Sequence, residues 1–206
     1  MINHILLITI KPISIGSYIW VAICFLIIGY LLCLLRKSKL FLHEIEIQVF
    51  GFKLNIKPNV QDIQVAYKLW VELSTRKLGL PIDKDLDLIL DLHRSFYTFF
   101  QIARKILSEI PATKASNKNT QQIIRIILII LNDKIRKYLT KWHADYRQWY
   151  KRESKQLYKQ NLSPAEFQRK YPKYDELMRD LLKLNEEVID LKKALAKIIG
   201  LEEVEK

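Results

Sequence analysis

The chain has 206 residues and a formal net charge of +12, enough for one globular domain plus an anchor but not for two comfortable domains. Charged residues make up 27% of it, which excludes general disorder, and only five glycines and six prolines interrupt it, which favours long helices over a many-stranded sheet. The expected fold is mainly α: a single N-terminal transmembrane helix, a short β-hairpin, then a cytoplasmic helical bundle ending in a heptad helix.

Residues 1–16 read as an N-terminal tail. The run from Ser17 to Leu35, SYIWVAICFLIIGYLLCLL, carries no charge. At 1.5 Å per residue it nearly matches a hydrocarbon core of about 30 Å. Tyr18 and Trp20 mark one edge, and Arg36, Lys37 and Lys39 follow the other, which predicts a cytoplasmic C-terminal side at the inner membrane with the N-terminus outside. A cleaved signal peptide fits less well, because the run is too long and ends in Leu34, Leu35 and Arg36 rather than in small residues. Both cysteines, Cys24 and Cys33, fall inside this run, so no disulfide framework or zinc site can be built from them.

Residues 36–58 form a basic juxtamembrane segment and a hairpin. From Glu44 to Lys57 the pattern has period two. A turn at Phe50-Gly51 pairs Val49 with Phe52, Ile47 with Leu54 and Ile45 with Ile56 on one face, and Glu44 with Lys57, Glu46 with Asn55 and Gln48 with Lys53 on the other. Such a hairpin is marginal alone, so its apolar face needs a partner surface.

Residues 59–200 read as the helical domain and 201–206 as a tail. Asn59 caps a first helix to about Lys77, with Ile63, Tyr67, Trp70 and Leu73 or Ser74 on one side and Gly79 and Pro81 as the stop. A second helix is predicted from Asp83–Asp85 to Ile110, burying Leu86, Ile89, Phe96, Phe99, Phe100, Ala103, Ile106 and Leu107. The polar stretch 111–120 is expected to be a loop. A third helix follows over 121–153, whose IIRIILIIL run is too short for a bilayer, with a stripe of Leu131, Ile135, Tyr138, Trp142, Tyr146 and Trp149. Ser163-Pro164-Ala165-Glu166 matches a capping box with proline at N1. The last helix repeats Tyr174, Leu177, Leu181, Leu184, Val188, Leu191, Leu195 and Ile198 at alternating steps of three and four, a seam for either an intramolecular bundle or a second subunit.

Candidate chemistry concentrates between Asp133 and Lys173, where twelve basic side chains face only four acidic ones. Lys134, Lys137, Lys141, Arg147, Lys151 and Arg152, interleaved with Tyr138, Trp142, Tyr146, Trp149 and Tyr150, suit phosphates and stacked bases. The competing reading packs the aromatic stripe in the core and leaves the basic face to solvent or anionic lipid. His4, His43, His93 and His143 have no metal-ligand spacing, and no phosphate loop or nucleophile elbow occurs, so neither a metal nor a cofactor is expected. Arg136 and His143 enclose six residues, the spacing of the HEPN class of helical ribonucleases, and about two helical turns place them on one face. Arg36 and His43 repeat that spacing beside the membrane, which makes it an unspecific signal.

The stretches LWVELSTRKLGLPID (69–83), LTKWHADYRQWY (139–150) and YPKYDEL (171–177) resemble small bacterial membrane-anchored helical proteins. The layout of span, helical domain and Arg-x6-His is similar to membrane accessory and effector proteins linked to CRISPR antiviral defence, including those accompanying type VI effectors. That resemblance implies an oligomer that compromises the inner membrane during phage infection, with the lipid bilayer, further copies and an RNA, nucleotide messenger or protein effector as partners. Only Arg136 and His143 match its site pattern. The alternatives are a tethered HEPN-like RNA-binding protein or ribonuclease, and a scaffold recruiting a cytoplasmic partner through the heptad helix.

Overall fold

The computed structural model describes residues 20, 22–31, 44–154 and 162–201. The chain divides into two units, Met1–Phe41 and Leu42–Lys206. In the first, residues 20 and 22–31 are helical, and every described side chain among them is exposed, Phe25 at 71% and Leu26 at 74%. Among the described residues no helix is long and apolar enough to cross a membrane. The other positions of the predicted span 17–35, Cys33 included, lie outside the described residues, as do the tails 1–16 and 202–206.

The second unit is mainly helical and opens with a hairpin of β1 (Ile45–Val49) and β2 (Phe52–Ile56) in the register expected from the alternation. Phe50 (φ 52°) and Gly51 (φ 79°) both adopt left-handed conformations, the two-residue turn whose twist matches that of the strands. A phenylalanine there costs about 1–2 kcal/mol. Its ring packs against the core, with the Lys134 ammonium 5.8 Å from its centroid. Ile47, Val49 and Ile56 are buried.

Helix α1 (Val60–Thr75) starts at a capping box. Asn59 Oδ1 accepts from Asp62 N, and Asn59 N donates back to Asp62 Oδ2, both at 3.0 Å. Asp62 is 1% exposed and also accepts from Thr120 Oγ1 at 2.7 Å, which ties the start of α1 to a helix far along the chain. Thr120→Val removes that donor at nearly constant volume. The expected loss is about 1–3 kcal/mol, read as a lower urea midpoint with an unchanged slope. The buried stripe of α1 is Asp62, Val65, Ala66, Leu69 and Leu73, not the expected Ile63, Tyr67 and Trp70. Tyr67 and Trp70 instead stack on each other near the surface, centroids 6.4 Å apart and Tyr67 49% exposed, because the smaller aliphatic face fits the closely packed last helix.

The helix ends at Thr75, earlier than Gly79 and Pro81 suggest, and a 3-10 turn (Lys77–Gly79) follows. The backbone over 78–82 is held by the last helix. Asn185 Nδ2 donates to Leu78 O (2.8 Å) and Leu80 O (3.0 Å), and Asn185 Oδ1 accepts from Ile82 N (3.3 Å). Asn185→Leu would leave these three backbone groups unpaired beside an apolar side chain. A drop of about 2–4 kcal/mol in unfolding free energy is expected; a loss below about 0.5 kcal/mol in chemical denaturation would refute that role.

Asp83 and Asp87 do not start a helix. Asp83 Oδ1 accepts from Asp85 N and Leu86 N, and Asp87 Oδ2 accepts from Asp83 N, so the acids close a turn of their own. Helix α2 (Ile89–Ser108) therefore begins later, and Leu86, expected in the core, is 76% exposed. Its first N–H is capped from a distance: Ile89 N donates to Gln168 Oε1, whose Nε2 donates to Asp87 O. The expected loop 111–120 holds a short helix α3 (Ala112–Ala115). Asn117 then caps α4 (Lys118–Leu128) by accepting from Asn119 N and Thr120 N. The same Asn/Ser/Thr chemistry serves loops and helix starts alike, and here it starts a helix.

Helix α4 runs through a π-helical segment (Ile129–Ile135) into α5 (Arg136–Glu153), a continuous rod in place of the single regular helix expected over 121–153. The predicted capping box opens α6 (Pro164–Gln168). Helix α7 (Tyr174–Ile198) packs against α1, β1 and α5. Leu177, Leu181, Leu184, Val188, Leu191 and Leu195 are all buried there, each 4% exposed or less, so the chain's own elements fill the heptad seam.

Candidate functional site

The α5 region was the richest in candidate residues, and packing divides them. Tyr138, Trp142, Tyr146 and Trp149 are between 0% and 7% exposed. Trp149 stacks on Phe167 at 5.1 Å, and Tyr146 meets Tyr171 edge-on at 5.1 Å. Tyr150 is partly buried against the same cluster. Rings already packed against one another have no face for a nucleic-acid base, so base stacking on this stripe is ruled out by burial.

Four of the six basic candidates are ion-paired, two of them with the acidic α7. Lys134 Nζ lies 2.6 Å from Glu187, and Lys141 Nζ lies 2.9 Å from Glu176 and 2.8 Å from Asp180. Lys137 pairs with Asp133 (3.5 Å) and Arg152 with Glu153 (2.7 Å). Hydrogen bonds to Asp180 and then Glu176 hold the Lys141 ammonium above the usual lysine range. The hydrogen bond from Lys141 is likewise the main cause that lowers Asp180. Of the six basic candidates, Arg147 and Lys151 lack a carboxylate partner among the described residues. Two of the six candidates are thus paired across the bundle and two with close neighbours in sequence.

Arg136 and His143 do share a face of α5. The Arg136 guanidinium carbon lies 5.2 Å from the Phe100 ring centroid, and the His143 ring meets Tyr97 edge-on at 4.9 Å, so both address α2 at positions one turn apart. The sequence reading missed the third member. His93, fully buried on α2, lies 5.3 Å ring to ring from His143, and its Nε2 is 3.0 Å from the Tyr138 hydroxyl. His93 sits within the apolar stripe Ile89, Leu92, Phe96 and Phe99, and that periodicity was the available signal. Burial, reinforced by His143, pushes the His93 imidazole down to about 3. Burial and then the Arg147 charge also lower His143. Among the described residues no carboxylate hydrogen-bonds to either ring, and His93 Nδ1, His143 Nδ1 and Tyr146 Oη are buried without a hydrogen-bond partner. At neutral pH both imidazoles are uncharged. His143 is therefore not a stored acid, and the Nδ1 atom of its ring is closed to solvent. His4 and His43 lie outside the described residues.

No group of three or more His, Cys, Asp or Glu side chains among the described residues could hold a metal ion. A different concavity was not anticipated: a cavity of about 130 Å³ between the hairpin and α4, bordered by Phe52, Leu54, Gln122 and Arg125. Compared with known families, characterised proteins and solved structures, the chain has no match.

Proposed function

We propose that this chain is a membrane-anchored, non-enzymatic accessory or effector protein of the inner membrane. In this reading it serves bacterial antiviral defence, and its copies gather to perturb the bilayer under control of the helical domain. The observation that carries the anchor is the charge-free run 17–35 followed at once by Arg36, Lys37 and Lys39, with its described helical residues bare of any apolar cover. The non-enzymatic reading rests on the ion pairs of Lys134, Lys137, Lys141 and Arg152 and on the packing of His93 and His143 among aromatic rings. Because α7 spends its seam inside one chain, gathering falls to other surfaces, such as the span itself or the face around exposed Tyr67 and half-buried Trp70.

Alkaline carbonate extraction tests the anchor. The full chain is expected in the membrane pellet, and a variant lacking residues 17–35 in the supernatant with its helical circular dichroism retained; a wild-type chain released by carbonate would end the reading. Membrane depolarisation on induced expression tests the effector part. A tethered ribonuclease is the second reading, favoured only by the shared face of Arg136 and His143. It requires that His143→Ala abolish RNA cleavage by the purified chain, whereas the first reading expects no cleavage from either form.

A further inference from the structure

We infer that the cavity between the hairpin and α4 is a binding site for a small amphiphile with an apolar tail and a single anionic head. The proposal does not depend on the membrane anchor, since the site lies wholly within the second unit. Gln122, Arg125, Ile126 and Ile129 follow one another at steps of three, one and three, which puts them along one side of the rod, facing the hairpin. Ile126, Ile129, Val49 and Leu54 make apolar walls, and Phe52, 53% exposed, stands at the rim. A space of about 130 Å³ is close to the roughly 150 Å³ apolar cavity that takes up one benzene ring, so it suits one ring or the end of an acyl chain.

Two polar groups interrupt these walls. Arg125 borders the cavity and has no carboxylate partner among the described residues, unlike Lys134, Lys137 and Lys141 further along the same rod. Gln122 Oε1 is buried without a hydrogen-bond partner. An apolar end with one cation and one amide at its border selects an anionic amphiphile over a neutral one. A carboxylate or phosphate head takes the guanidinium's hydrogen bonds, which a neutral alcohol cannot do as strongly.

The test uses the full chain, in nanodiscs of neutral phosphatidylcholine where it inserts and in plain buffer where it does not, with octanoate as the soluble probe and octanol as its uncharged counterpart. Binding is followed by the carboxyl carbon-13 resonance of octanoate and by ligand-observed saturation transfer for both probes. Octanoate is expected to bind at least tenfold more tightly than octanol. Arg125→Gln should cost octanoate at least tenfold and octanol little, and Leu54→Trp, which fills the cavity from a partly exposed position, should abolish both. A second arm replaces part of the lipid by phosphatidylglycerol. Arg125-dependent binding of that lipid without octanoate binding assigns the head group to a membrane lipid and supports the site. Neither ligand binding in an Arg125-dependent way, or Leu54→Trp leaving binding intact while both variants keep the wild-type melting curve, overturns it.

Discussion

Gly79→Ala is expected to destabilise the helical domain more than Gly51→Ala or Gly200→Ala. A Cβ at this position would lie 2.0 Å from the Leu73 carbonyl oxygen, 2.7 Å from its carbonyl carbon and 3.0 Å from its Cα. All three are backbone atoms of α1, so no side chain can rotate away. The loop cannot retreat either, because Asn185 bonds to the carbonyls on both sides of Gly79, and Lys192 Nζ donates to Gly79 O itself at 2.8 Å. Leu73 and Leu78 are both fully buried. Relieving the clash means moving α1 away from α7, with a cost of at least about 3 kcal/mol, a large part of the stability of a domain this size. A urea titration followed by circular dichroism should show a midpoint lowered by the equivalent of at least about 3 kcal/mol. Gly51→Ala and Gly200→Ala are internal controls. Nothing lies near their added Cβ atoms, so only the positive φ is penalised, at about 1 kcal/mol each. If all three variants lose the same small amount, the close approach at Gly79 is not rigid.

Acid should weaken the same domain well before its carboxylates protonate. His93 is held near 3 in the fold against 6.5 for the free side chain. Between those values the unfolded chain binds a proton that the folded chain refuses, so the stability from the neutral ring is complete above about 6.5 and falls as pH falls. The slope in mid-window is about 1.4 kcal/mol per pH unit. His143, lowered in the same direction, adds a smaller loss of the same sign. The rings facing His93 are His143, Tyr138 and Tyr146, with Arg147 acting on His143 and Asp180 on Tyr138 beyond them, and among the described residues no carboxylate hydrogen-bonds to His93. Asp145, lowered first by its hydrogen bond from Lys173, and Asp180 act below about 4, where their own protection is lost. Urea midpoints at pH 7 and pH 5 should differ in the wild type. In His93→Gln the corresponding difference in unfolding free energy should shrink by about 1–2 kcal/mol. A variant with an unchanged pH dependence would show that His93 is not the group that titrates.

The local features were legible in the chain. Hairpin register follows from alternation and a two-residue turn, because cross-strand neighbours there are close in sequence. The Asn59 and Ser163 caps follow from short-range geometry in the same way. The α5 stripe and the α7 seam follow from helical periodicity, and both are buried where periodicity puts them. Asp83 and Asn117 were less legible, since the same side chains close turns and cap helices, and only the surrounding contacts choose. At Asp83 the turn won, and at Asn117 the helix did.

The chain by itself determined the hairpin, most of the helices, the Asn59 and Ser163 caps and the charge-free run 17–35, because each depends on residues within a turn or two of one another. Only the tertiary structure decided what the candidate site can do. Lys134 and Lys141 meet acids on α7 that lie 53, 35 and 39 positions away. His93 meets His143 across two helices. Gln122 and Arg125 come to border a cavity only when the hairpin folds over α4. Hydropathy says which side chains leave water, but charge neutralisation and cavity shape depend on which distant residues arrive opposite them. Packing, not local preference, makes that selection.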